Sequence, residues 1–155
     1  MAEYSANAVQ IVNPGEAIIF TETPVPCQRG FVRHREGSGN FLLSGWTPNR
    51  RGCGCRGNRS AQYLVDFGAN ISIPEGGTVG AISVAIQLDG STIPASTMEV
   101  TPAAVDNYFN VSRAINASVW NGCCETITVV NTSDQPIQVR NANIIFSRPD
   151  LAVTY

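Results

Sequence analysis

No lysine occurs in these 155 residues, and histidine occurs once, at position 34. All ten basic residues are arginines, so every cationic side chain is a planar guanidinium fork rather than a compact point charge. Charged residues make up 14% of the chain, against about a quarter in an ordinary soluble domain. The formal net charge of −2 supplies no long-range attraction to nucleic acid. No apolar run approaches the ~20 residues needed to cross a bilayer. The opening MAEYSANAVQ has no basic stretch followed by an apolar one, so no secretory leader is expected there. Together these absences predict a soluble protein that is made in a cytoplasm or leaves by a route the sequence does not show, with no nucleic acid and no membrane among its partners.

Catalytic equipment is missing too. There is no nucleophile elbow, no phosphate loop and no HExxH motif. Any Cys–His or Ser–His pair would have to use His34, which lies in VRHRE between two arginines and is read as a solvated surface residue. Asp66, Asp89, Asp106 and Asp134 fall in turns or on polar strand faces. The expectation is a protein that is not an enzyme and has no cofactor.

What remains is β structure. In QYLVDFGANISI (62–73), Tyr63, Val65, Phe67, Ala69, Ile71 and Ile73 fall on one face, the period of two of a long half-buried strand. AISVAIQLDG (81–90) places Ile82, Val84, Ile86 and Leu88 inward, then turns at Asp89-Gly90, with STMEV (96–100) returning. FVRHREGSGNFLLSG (31–45) reads as a hairpin turning at 36–39, and AVQIVNPGEAIIF (8–20) as two strands around Asn13-Pro14-Gly15. YFNVSRAINASVW (108–120) alternates with Arg113 as the odd member of its apolar face. ETITVVNTS (125–133) and IQVRNANIIF (137–146) read as a final pair. The one helix candidate, PAAVDNYF (102–109), is too short to stand without tertiary support. About eight to ten short strands without a linker or repeat predict one all-β domain over residues 1–155, a sandwich or jelly roll with its core at about 8–148.

Five cysteines cannot all pair within one chain. Cys53 and Cys55 sit in NRRGCGCRGNRS (49–60); extended, their α-carbons lie about 6.6 Å apart, near the upper limit for a disulfide. Cys123 and Cys124 are adjacent and would face opposite sides of a strand. These spacings miss the Cys-x(2–4)-Cys pattern of zinc sites, so no metal is expected. A bridge from the 53–55 pair to Cys123 or Cys124 would close a loop of roughly 70 residues and stabilise by about 3–4 kcal/mol in an oxidising setting. Cys27 is left as the odd thiol or as one that pairs across chains.

Arg50, Arg51, Arg56 and Arg59 crowd the same segment without aromatic residues between them for base stacking. They fit either a contact with acidic groups on a neighbouring subunit or scaffold, where guanidinium forks give geometry as well as attraction, or a merely solvated loop. Trp46, Tyr108 and Trp120 are the aromatic residues that could face a ligand in a shallow groove.

Three stretches carry a resemblance: QYLVDF (62–67), ISVAIQLDG (82–90), and the segment from TITVVNTS to NANIIF (126–146). In this order they resemble the TNF/C1q-like jelly rolls, and in particular small surface proteins of Gram-positive bacteria and their prophages. The resemblance implies a homotrimer that decorates a phage or prophage capsid or tips a head fibre, made in a host bacterial cytoplasm and carried on the virion surface. Its partners would then be itself, a capsid or other surface-assembly protein, and a cell-surface glycan. No collagen-like stalk precedes the jelly roll in this chain. Two alternatives stay open: a receptor- or carbohydrate-binding head domain, and a cysteine-cross-linked spore or appendage surface protein.

Overall fold

The computed structural model describes residues 1–47 and 60–151. Two antiparallel sheets pack face to face. The first contains β1 (Ala2–Ala6), β2 (Gln10–Val12), β3 (Glu22–Val25), β6 (Ser60–Ser72), β10 (Phe109–Trp120) and β12 (Ile137–Ser147). Its order is β10-β6-β12-β1-β3, with β2 also pairing β12. The second contains β4 (Val32–His34), β5 (Phe41–Ser44), β7 (Ile82–Leu88), β8 (Ser91–Thr92), β9 (Met98–Val100) and β11 (Cys124–Asn131). Its order is β4-β5-β11-β7-β8, with β9 on β7.

The period-two pattern of β6 is realised in full. Tyr63, Val65, Phe67, Ala69, Ile71 and Ile73 are all buried, while Gln62, Leu64 and Asp66 face outward. Across the sandwich they meet Phe41, Leu43, Ile82, Val84, Ile86, Ile127 and Val129 in a single core. Phe41 is its aromatic centre, with Tyr4, Phe20 and Phe146 rings 4.9, 5.2 and 5.0 Å from its centroid. Tilted and edge-on pairs of this kind each add about 0.5–1.5 kcal/mol beyond their buried area. Asp89 (φ 48) and Gly90 (φ 79) form the expected two-residue turn, because both central positions need the left-handed region. The Asp89 carboxylate also accepts the Thr126 N–H at 2.6 Å, tying the turn to β11.

Four expectations are corrected. β11 and β12 do not pair with each other. They belong to opposite sheets, and the 132–136 connection crosses the end of the sandwich. Of the two arms expected around Asn13-Pro14-Gly15, the first is β2. The second crosses between layers through isolated bridges, Ala17 to Val130 and Phe20 to Ser38. Residues 102–108 form bends and a turn rather than a helix, with Asp106 at φ 57, and Phe109 already begins β10. β1 precedes the expected start of the core at residue 8, pairs along β12, and buries Ala2 and Tyr4.

Candidate functional site

Two regions gather functional side chains, at opposite ends of the first sheet. At one end the chain leaves the second sheet after β5 and returns at Ser60 opposite Trp120. The Gly45 N–H donates to the Cys123 carbonyl at 2.9 Å, and Gly45 lies so close to Trp120 that a Cβ there would stand 1.8 Å from its carbonyl oxygen. Only glycine permits that approach. Trp46 and Trp120 are 59% and 60% exposed, held on neighbouring backbones beside the turn that carries Cys123 and Cys124.

A buried network fixes this end from below. The Arg148 side chain is 1% exposed and pairs with Asp150 at 2.7 Å. Its guanidinium also donates to the Trp46 carbonyl at 3.2 Å and to the Tyr63 hydroxyl at 3.4 Å. The Tyr63 hydroxyl reaches the Ser44 carbonyl at 2.6 Å, and the Phe31 carbonyl lies 3.0 Å away. One arginine thus joins β6, the segment after β5 and the C-terminal turn. Burial disfavours the charged forms of both Arg148 and Asp150, but their mutual hydrogen bonds prevail, holding Asp150 below and Arg148 above their ordinary pKa values. Burial also raises the Tyr63 phenol against the opposing pull of Arg148. Sequence reasoning missed this network. The lone arginine after an apolar strand, followed two residues later by an aspartate, was its available signal.

The other region lies on the outward face of the same sheet. There β12 bulges between Arg140 and Asn143, with Asn141 at φ 51. Arg140 reaches across β6 and lays its guanidinium over the Tyr108 ring, 3.8 Å from the centroid. Beside it, Asn110 donates to Asn70 at 3.1 Å and Asn70 donates to Asn141 at 3.3 Å, an amide ladder across three strands.

The candidate residues are therefore dispersed. Tyr108 precedes β10 and Trp120 ends it, about 40 Å away along the strand. No groove combines Trp46, Tyr108 and Trp120, and Tyr108 presents a ring already covered by Arg140. Arg50, Arg51, Arg56 and Arg59, with Cys53 and Cys55, lie outside the described residues. Cys27, Cys123 and Cys124 are free thiols. Cys27 is half-buried, its sulfur accepting the Val32 N–H at 3.5 Å, while the other two are exposed. Cys123 lies in the turn rather than in a strand, so the opposite-facing geometry expected of the pair does not apply. His34 is half-buried rather than a freely solvated surface residue. Its ring stacks on Phe41 with centroids 4.5 Å apart, and its Nε2 bonds the Ser38 carbonyl oxygen at 3.0 Å; among the described residues no nucleophile is hydrogen-bonded to it. No group of three or more potential metal ligands occurs among the described residues.

No protein-family model matches the chain, and no curated protein matches it in sequence. Solved structures do match in shape. A TNF from S. frugiperda, Eiger, is similar over 99% of this chain and 93% of its own, with 12% identity and a TM-score of 0.63. The globular domain of zebrafish complement 1qA is similar over 93% of this chain and 94% of its own, with 9% identity and a TM-score of 0.58. At such identities the likeness is one of fold: the chain is an all-β jelly roll of the TNF/C1q type.

Proposed function

We propose that this protein is a non-enzymatic structural subunit that associates with copies of itself and coats the surface of a phage or prophage virion. The observation that carries this reading is the outward face of β10, β6 and β12 below the bulge. Register places Ala114, Asp66 and Ile145 in one row and Asn116, Leu64 and Ser147 in the next, with Trp120 beyond. Asp66 is the single charge in these two rows. Leu64 and Trp120 are well exposed. A face with mostly small, apolar and uncharged side chains is cheap to desolvate and suits burial against a second protomer. The threefold arrangement comes from the family resemblance, as does the particle.

Native mass spectrometry tests the assembly: a threefold mass is expected, with Leu64→Glu giving single chains that still fold, because Leu64 packs outside the core. A wild-type protein that remains a monomer overturns the reading. Labelled antibody on induced lysates tests the particle, and its absence from capsids removes the virion assignment. The cysteine-cross-linked coat protein is favoured by one separate observation, two exposed thiols side by side at Cys123 and Cys124.

A further inference from the structure

We propose that Arg140 and the amide ladder Asn110–Asn70–Asn141 form a binding site for an acidic sugar. The site lies at the far end of the sheet from Leu64 and Trp120 and does not depend on self-association.

Arg140 carries the argument. Its guanidinium carbon lies over the Tyr108 ring, 3.8 Å from the centroid, yet the group makes no hydrogen bond or ion pair with any described residue. A guanidinium in this position is oriented but unspent, since stacking uses its face and leaves the donors in its plane available. Those donors match a carboxylate as a two-pronged fork. Ser72, opposite Gln138 on β12, is fully buried although it occupies an outward position.

The ladder supplies the second half. Asn110 and Asn70 each donate to the next amide, leaving the Asn110 oxygen and the Asn141 amide hydrogens unengaged at its two ends. A hydroxyl both donates and accepts, so a row offering acceptor and donor groups suits a sugar ring. A sugar acid carries its carboxylate and hydroxyls on one rigid ring, whereas an acidic peptide must order a flexible chain to present the same groups. Gln138 donates to the Asp106 carboxylate and lies within 3.4 Å of Ser72, so the nearby negative charge already has a partner. Among the described residues three non-glycine residues have positive φ, and Asn141 of this cluster is one of them. Such strain collects at functional sites when the surrounding structure enforces it.

An NMR titration of the labelled protein decides the matter, with glucuronate, glucose, acetate and a hexaglutamate peptide as separate probes. Glucuronate is expected to give saturable shifts confined to Asn70, Asn110, Arg140, Asn141 and Tyr108. Arg140→Lys keeps the charge and loses the fork, and should weaken glucuronate at least about tenfold, the effect of one lost hydrogen bond to a charged group. Asn110→Ala should weaken it as well. Arg113→Lys, at the sheet edge, should leave binding unchanged. No saturable shift with glucuronate overturns the proposal, as does unchanged affinity in Arg140→Lys. Glucose or acetate binding as tightly as glucuronate removes the acidic-sugar assignment. Hexaglutamate binding as tightly makes the site a peptide contact instead.

Discussion

Asp150 holds Arg148 by both carboxylate oxygens, at 2.8 Å to Nε and 2.7 Å to Nη2, in a pair almost wholly shielded from water. Removing one member of such a pair leaves the other charge buried without compensation. Asp150→Asn is therefore expected to lower stability by about 3 kcal/mol, whereas Arg148→Met with Asp150→Leu recovers most of the loss. The pH dependence follows from the lowered folded-state pKa of Asp150. Its contribution is complete above the ordinary aspartate value of about 3.9 and is lost as pH falls through the depressed one. Urea midpoints measured across the acid range check this. The wild type should lose an increment there that Asp150→Asn no longer has.

Gly45 is required by space rather than by backbone angle. A methyl group there would lie 1.8 Å from the Trp120 carbonyl oxygen and 2.9 Å from that of Cys123. Both are backbone atoms, so the 121–123 turn must move and the Gly45–Cys123 hydrogen bond must lengthen. Gly45→Ala is expected to cost on the order of 3 kcal/mol, at the upper end for overpacking. It should also change the fluorescence of the adjacent exposed tryptophans. An unchanged urea midpoint would show that the close approach does not exist in solution.

The sequence showed the fold wherever local pattern and tertiary burial agreed. β6 and β7 were legible because one face of each meets the core from end to end, and the Asp89-Gly90 turn because its geometry demands those residue types. β11 and β12 were each visible, but which sheet receives a strand is a long-range choice that alternation does not encode. β1 went unseen because AEYSA has too few apolar residues to show a period, although Tyr4 anchors the aromatic cluster. His34 misled because its arginine neighbours suggest solvent, while its ring takes a place against Phe41. The Arg140–Tyr108 stack joins residues 32 positions apart through register across β6, which no linear spacing reveals.

Arg113 guards a long edge. β10 pairs with β6 through twelve consecutive residues without a bulge, and among the described residues nothing pairs with its other side. An edge of this length, with no proline or lysine, is a template for unwanted strand pairing. Arg113 is its one charge, exposed on the strand's inward side, with a long 3.5 Å contact to the Thr97 carbonyl. Two copies pairing edge to edge near the strand centre would bring two guanidinium groups together. Arg113→Val is therefore expected to produce species larger than the native assembly in sedimentation velocity. Its effect on protomer stability should stay within about 0.5 kcal/mol, as for other exposed sites. Arg113→Lys keeps the charge and should behave as wild type. If Arg113→Val sediments like the wild type, the charge is not what protects the edge.

The three described thiols cannot satisfy one another. Cys123 and Cys124 have α-carbons about 3.8 Å apart, as neighbours across a trans peptide, inside the 4.4 Å minimum usual for a disulfide. Cys27 sits against β4, and the order β4-β5-β11 puts about two strand spacings, or roughly 10 Å, between β4 and the strand that begins at Cys124. Partners for the exposed pair must therefore be Cys53 or Cys55, or a thiol on another molecule. Gly45 bonds the Cys123 carbonyl and Ser60 pairs with Trp120, so the described residues on either side of 48–59 lie beside the turn. We therefore expect oxidised protein to contain a peptide joining the 53–55 pair to Cys123 or Cys124 at the mass of a single chain. Reduction should then cost about 3–4 kcal/mol, the effect of opening a loop of roughly 70 residues. Cys27→Ser should leave that difference intact, and Cys123→Ser with Cys124→Ser should abolish it. Joined chains on a non-reducing gel would assign the thiols to cross-linking between copies. Five alkylatable cysteines after oxidation would end the stapling idea.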